Sequence, residues 1–320
     1  MDCKIGVYKN RRNASFFISK NLFLFLYRMK RICYYVFLWL SLQLSAQNIP
    51  KLNLNHYKIA VLSDSLRESS GLAALGEKLF SFNDSGNTSE IFEIKPGSSS
   101  IKKTFQTGLK NIDWEAMTTD GENFYIGDFG NNLGTRKDLK VYRLPFRNDS
   151  ILIDSVQSIP FYYPEQTDFS RQNLQHNFDA EAMIFFEDKL HIFTKEWLSN
   201  TVSHYLIDKN LRENQPAQKL ESFDTGFGVT DASFFGNKLY AVGYTKKANV
   251  YLIIFEKEDS GPLFFRKPAK KYFLGKAYNI GQIEGIAATE KGLYISGERF
   301  SIKIKKVPQS LYFIPFKDLE

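Results

Sequence analysis

Cysteine is nearly absent from this chain. There are two, Cys3 and Cys33, and both fall within the first 46 residues. The remainder therefore has no disulfide, no thiolate metal site and no cysteine nucleophile. Histidine is scarce too. His56, His176, His191 and His204 are the only four, and no pair has metal-ligand spacing, which argues against zinc hydrolysis. No G-x-S-x-G elbow, H-E-x-x-H helix or P-loop occurs. Helical periodicity of useful length, low-complexity tracts and domain linkers are also missing.

A partner-directed charge is absent as well, although the net charge of +7 suggests one. Residues 1–46 hold eight of the 42 basic residues and one acid, Asp2, so residues 47–320 carry 34 of each sign. The basic excess belongs to the leader, and nucleic acid is not an expected partner.

Within that leader, Lys30 and Arg31 precede an apolar run over 32–44 and the small residues Ser45-Ala46-Gln47. This is the pattern of a secretory signal peptide. The run is shorter than the ~20 residues a membrane-spanning helix needs. The expectation is a leader over 1–46, with Met29 as the true start of translation, and a secreted or periplasmic domain over 47–320 without stable membrane insertion.

What the chain has in abundance is aromatic residues, 15% of the total, with 29 Phe and 17 Tyr, a composition that favours strands. Repeats organise them. SSGLAALGEKLFSFND, WEAMTTDGENFYIGDF, AEAMIFFEDKLHIFTK, VTDASFFGNKLYAVGY and IEGIAATEKGLYISGE share one grammar. A short strand meets a polar turn, and a second strand follows with an aromatic or His at a fixed place: Phe80, Tyr125, His191, Tyr240, Tyr294. Two further strand-like runs follow each of the first four hairpins, but only SLYFIPF follows the fifth. HYKIAVLSD, residues 56–64, supplies the missing strand from the other end. The fold class expected is all-β: a five-bladed β-propeller of four-stranded blades whose last blade is closed by the N-terminal strand.

Ten residues before each marker stand Ser70, Glu115, Glu181, Thr230 and Glu284. The first strand of a propeller blade lines the central channel, so these five form a ring of oxygen-bearing side chains. Converging carboxylates must take up protons or be neutralised by a cation. Ca²⁺, with six to eight oxygen ligands, is the natural candidate. The competing reading is a watery channel whose acids are satisfied by backbone amides and nearby lysine. Asp84, Asp128, Asp231 and Glu298 are expected at the channel mouth, with Lys195, Arg299 and Asn131 nearby. The loops 129–139 and 164–178 should emerge on that face, carrying Asn132, Arg136, Lys137, Arg171 and His176. Trp114 and Trp197 lie near it and read as blade packing.

These residues resemble a family, the calcium-activated nucleotidases or apyrases. The resemblance rests on the column Ser70, Glu115, Glu181, Thr230, Glu284, on WEAMTTDGENFYIGDFG and IEGIAATEKGLY, and on KIAVLSD with Asp64. It implies a five-bladed propeller with a central calcium held by serine and glutamate, Thr230 replacing a serine. Two departures leave nucleotide hydrolysis unsupported. Ser65 and Leu66 follow Asp64 where the family has Asp-Leu-Asp, and 164–178 offers only Arg171 in place of a basic Arg-Arg segment. The repeats are also similar to esterase-like phytase and SdiA-regulated propellers.

The function expected is a calcium-centred, monomeric propeller that binds a small-molecule or phosphate-bearing ligand at its channel mouth. The alternatives are a calcium-dependent phosphohydrolase, with Asp64, Asp84, Asp128 and Glu298 as catalytic candidates, and an envelope interaction scaffold.

Overall fold

Alternating apolar and polar residues around two- to four-residue turns dictate antiparallel hairpins. In the computed structural model they assemble into five four-stranded antiparallel blades in a ring. The structure describes residues 27–31, 49–257, 261–302 and 305–319. Most of the expected leader, including 32–46, lies outside the described residues. Residues 27–31 form an exposed helical turn. Among the described residues no helix is long and apolar enough to cross a membrane. The propeller unit spans Pro50–Glu320.

From the axis outward, blade 1 is Ser69–Leu75, Lys78–Asn83, Glu90–Ile94 and Ile101–Gln106. Blade 2 is Trp114–Thr119, Asn123–Asp128, Lys140–Arg147 and Gln157–Tyr162. Its outer edge is covered by a short parallel strand, Gln215–Pro216. Blade 3 is Ala180–Phe186, Lys189–Thr194, Thr201–Ile207 and Gln218–Asp224. Blade 4 is Gly228–Phe235, Lys238–Tyr244, Asn249–Glu256 and Lys270–Lys276.

Blade 5 is Gln282–Ala288, Gly292–Glu298, Ser310–Pro315 and, outermost, the N-terminal strand Lys58–Val61. That strand pairs antiparallel with Ser310–Pro315, Lys58 opposite Tyr312 and Val61 opposite Ser310. The ring is thus closed by hydrogen bonds between the two ends of the domain, which removes an open sheet edge.

Apolar packing tells the same story. Among the described residues there are five buried clusters, one at each seam between successive blades. Phe80, Phe82, Trp114 and Phe124 join blades 1 and 2. Tyr125, Phe161, Met183 and Tyr205 join blades 2 and 3. Phe193, Phe227, Ala241 and Phe255 join blades 3 and 4. Tyr240, Leu252, Ile286 and Tyr312 join blades 4 and 5. Leu72, Leu79, Phe92, Ala287 and Leu311 join blade 5 back to blade 1.

One irregularity recurs at the same level in every blade. The innermost strand gains one residue relative to its neighbour, between Ser70 and Leu72, Trp114 and Ala116, Ala180 and Ala182, Val229 and Asp231, and Ile283 and Gly285. A bulge of this kind turns a side chain out of the pleat. In four blades the extra residue is the ring residue itself: Glu115, Glu181, Thr230, Glu284. In blade 1 it is Gly71, at φ +65°, where a Cβ would lie 2.9 Å from the Phe82 ring and 3.0 Å from the Met117 amide nitrogen. Only glycine fits there, and Ser70 beside it faces the axis.

Candidate functional site at the axial mouth

The bulges gather their side chains around a cavity of about 180 Å³ at one end of the axis. Ser70, Glu115, Glu181 and Glu284 line it, together with Asp84, Lys195, Trp197, Tyr244, Gln282, Asn132 and Leu174. The strands explain the rest of this set. Each second strand runs antiparallel to the first and ends at the mouth, delivering Asp84, Lys195 and Tyr244 from blades 1, 3 and 4. The loop following blade 2's second strand brings Asn132, and 164–178 brings Leu174.

Those two loops are zipped together. The Leu174 amide donates to Asn132 O at 2.9 Å, Gln172 donates to Leu133 O at 2.9 Å, and the Gln166 side chain donates to Gly134 O at 2.9 Å. The His176 ring sits 3.3 Å from Asn132 O. Leu174 holds the left-handed region, φ 59°, to reach the cavity.

The acids fall into two groups. On the blade 3 to blade 5 side Glu181 and Glu284 have partners, whereas Glu298 has none among the described residues. Lys195 Nζ donates to Glu181 Oε2 at 2.6 Å and lies 5.1 and 5.2 Å from the Trp197 and Tyr244 ring centroids. Glu284 Oε1 accepts from Tyr244 OH at 2.8 Å and from Gln282 at 2.7 Å. Burial pushes both glutamates up, while Lys195 opposes it. Burial alone would pull Lys195 down, but Glu181, Tyr244, Glu284 and Asp179 together hold it well above the ordinary lysine value. Glu298 is raised by burial and by Glu284 and Asp84 beside it.

On the blade 1 to blade 2 side the acids have no ion-pair partner among the described residues, and Asp84 accepts from the Ser85 amide beside it. Asp84, Asp113 and Glu115 present carboxylate oxygens all within 4.8 Å of one another. Glu115 is 4% exposed, lines the cavity, and its carboxylate has no hydrogen-bond partner among the described residues. Burial pushes it well up, and Glu181, Asp84, Asp113 and Asp179 add to that. Asp113 is pushed up to about 6 by burial and by Asp84, with Arg136 opposing. Gly130 closes over the pair: a Cβ there would lie 2.4 Å from Glu115 Oε1 and 2.5 Å from Asp113 Oδ2. The backbone approaches the two carboxylates as closely as a side-chain-free residue allows.

Other expected site residues are placed elsewhere. Asp231 is not at the mouth. It lies one level deeper and fully buried, accepting from the Ile286 amide at 2.7 Å, Ala232 at 2.8 Å and Leu72 at 3.3 Å. It therefore ties blades 4, 5 and 1 together. Asp128 is also fully buried, paired with Arg136 at 2.9 Å and accepting from the Asp113 amide at 3.2 Å, so it stands behind the cavity. Asn131 braces its loop, donating to Asp179 and Phe178 and accepting from Arg136. Arg299 pairs with Asp64 and donates to Gln309, away from the axial lining. Of the two ring hydroxyls, Ser70 donates to Glu115 O at 3.3 Å and Thr230 to Ile283 O at 2.7 Å, each reaching the next blade. Trp114 is core, edge-on to Phe82.

Asp113, Asp179, Tyr244 and Gln282 are additions that the sequence did not single out. Asp179 is pushed up to about 7 by burial, with Lys195 and the Asn131 amide opposing. Trp197 proves to be a wall of the cavity, its Nε1 buried without a partner. Lys246, exposed at the rim, lies 6.0 Å from the Trp197 ring.

No protein-family model matches the chain, and no curated protein matches it. Solved structures similar to it include a candidate 6-phosphogluconolactonase from Bacteroides uniformis, with 12% identity and TM-score 0.36 over 74% of this chain and 69% of that one. Another is a candidate oxidoreductase (glucose dehydrogenase) from Thermus thermophilus, with 11% identity and TM-score 0.42 over 79% and 98%. A third is BamB from Moraxella catarrhalis, with 9% identity and TM-score 0.30 over 77% and 73%. Likeness at this level says nothing about activity.

Proposed function

We propose that this protein is an exported, monomeric binding propeller that holds a divalent cation, Ca²⁺ by its oxygen chemistry, at Asp84, Asp113 and Glu115, and captures an oxygen-rich small molecule through it. The observation that carries this reading is Glu115: a carboxylate on a residue only 4% exposed that opens on a cavity beside two more acids and pairs with no cation among the described residues. Burial raises such groups because no opposite charge offsets their desolvation. A hard cation with oxygen ligands supplies that charge and leaves coordination positions for a ligand's own oxygens. The remainder of the resembled calcium column is occupied internally, Glu181 by Lys195 and Glu284 by Tyr244 and Gln282. This shifts the proposed cation from the axis toward blades 1 and 2. Trp197 offers a flat face to the ligand, and Lys246 a cation at the rim.

The binding reading is preferred to a phosphohydrolase because three of the cations that would handle phosphate are engaged elsewhere. Arg136 serves Asp128 and Asp138, Arg299 serves Asp64, and Lys195 serves Glu181. Export rests on the signal-like leader.

Titration calorimetry with CaCl₂ on the wild type and Glu115→Gln tests the proposal. Binding in the wild type and its loss in the variant is expected. Equal heats, or no binding at millimolar calcium, would overturn it. Phosphate release from a nucleotide panel in calcium, lost in Glu115→Gln, would put the phosphohydrolase reading in its place. No release beyond the protein-free blank keeps the binder.

A further inference from the structure

In blade 3 the marker position that carries an aromatic in the other four blades carries His191. It is not an isolated core histidine. His191 Nδ1 lies 2.8 Å from His204 Nε2, and the two ring planes are within 25° of parallel with centroids 5.0 Å apart. At one end His191 Nε2 lies 3.2 Å from Phe186 O. At the other, His204 Nδ1 lies 3.1 Å from Glu221 Oε1. Both imidazoles are at most 1% exposed. They are walled by Phe186, Phe193, Phe264 and Phe265. The charged groups facing the chain are Glu221 and, beside His191, Lys257.

The two ends of this chain are both acceptors, a carbonyl and a carboxyl. Three hydrogen bonds running between two acceptors through four ring nitrogens need three protons. Two arrangements that leave His191 neutral satisfy this. Glu221 is ionised and His204 is imidazolium, or Glu221 is protonated and both rings are neutral. The count is three in each and the net charge is zero, which burial favours. Burial and His204 push His191 down to about 3, so it holds a single proton in either arrangement. Burial pulls His204 down as well, with Glu221 opposing. Against its burial, Glu221 is held down by His204 and by the Phe264 and Phe265 amides. The third proton therefore rests on the hydrogen-bond geometry between the two terminal acceptors.

Glu221 also holds a piece of backbone. Its Oε1 accepts from the Phe264 amide at 2.6 Å and its Oε2 from the Phe265 amide at 3.2 Å. These residues lie between the two outer strands of blade 4, and their rings enter the blade 3 to blade 4 seam. We infer that Glu221, His204 and His191 form a buried three-proton latch fastening the Phe264–Phe265 segment of blade 4 onto blade 3, with a hold that depends on pH.

The direction follows from proton counts. Unfolded, the triad holds four protons below the ordinary imidazole pKa of about 6.5 and two above it. Folded, it holds three. Its contribution to stability therefore rises with pH up to about 6.5 and falls above it. A pair of buried neutral histidines would give a plateau above that pH instead. Between pH 7 and 8.5 the latch raises the unfolding equilibrium constant about tenfold per pH unit, until the folded triad itself releases a proton.

The test is urea unfolding of the full chain from pH 7 to 8.5, in the wild type, Glu221→Gln and His191→Phe. In Glu221→Gln the amide N–H donates to His204, so three bonds need only two imidazole protons. In His191→Phe the aromatic of the other blades is restored and the extra proton has no place. Titration of the mouth acids is common to all three proteins and cancels in the differences. The wild type is expected to lose stability about tenfold per pH unit relative to each variant. Parallel profiles for the wild type and either folded variant would overturn the latch.

Discussion

The two halves of the axial mouth use the same residue on the same bulge to opposite ends. Glu115, Glu181 and Glu284 each occupy the extra position of an innermost strand. Glu181 meets an ammonium and Glu284 meets a phenol and an amide, so both are held. Glu115 meets Asp84 and Asp113, so it is not. The difference arises in the neighbours. The second strands of blades 3 and 4 end at the mouth in Lys195 and Tyr244, whereas that of blade 1 runs out into Asp84. A buried acid with an internal partner is architecture. One pressed against other acids has unfilled capacity for a cation, and that contrast carries the functional proposal.

The largest effect should come from breaking the satisfied half. Lys195→Met leaves Glu181 buried without its ion pair and is expected to cost about 3 kcal/mol, read by urea unfolding. Adding Glu181→Gln should recover most of that. Full additivity of the two losses would mean the pair is not coupled.

The unsatisfied half should respond with the opposite sign. Asp113 is raised to about 6, so folded protein holds its proton between the ordinary aspartate value and that pH, where the unfolded chain does not. With chelator present, stability should therefore rise as pH falls from 7 to 5. Asp113→Asn should stabilise the chelated protein at pH 7 by up to about 3 kcal/mol, since one pKa unit corresponds to roughly 1.4 kcal/mol. In calcium the same variant should be the less stable of the two. A variant that loses stability under both conditions would mean that Asp113 serves the fold alone.

The smallest effect concerns the cover over both halves. Leu174 stands at φ 59° with its side chain in the cavity lining. Leu174→Gly relieves a conformation that costs a branched side chain about 1 kcal/mol, offset in part by glycine's greater freedom when unfolded. A gain of about 0.5 kcal/mol and faster calcium association by stopped flow are expected. Unchanged association would remove Leu174 as a constriction.

Much of this was legible from the chain. The blade count follows from five hairpins, and the closing strand from an odd total, because each hairpin is a local unit with its turn chemistry written beside it. The ring was legible because the bulge recurs at a fixed distance from a marker side chain. Asp231 was not placed correctly because it directly follows a bulge residue. One step along a strand reverses the direction of a side chain, sending it to backbone amides of blades 5 and 1 in place of the mouth. Asp113 had no repeat register to mark it, since it precedes the first strand residue of blade 2. His204 carried no signal either. It lies 13 residues after His191 on the adjacent strand, a spacing with no periodic meaning.

The amino-acid sequence by itself determined the all-β class, the number of blades and the closing strand, and it pointed to four residues that line the axial cavity, Ser70, Glu115, Glu181 and Glu284, while Thr230 stands outside that lining. These depend on alternation, turns and repeat spacing, all of which are local along the chain. Only the tertiary structure decided which acids are held, because their neighbours come from other strands and blades: Lys195 beside Glu181 within blade 3, Tyr244 of blade 4 beside Glu284 of blade 5, and Asp84 of blade 1 beside Glu115 of blade 2.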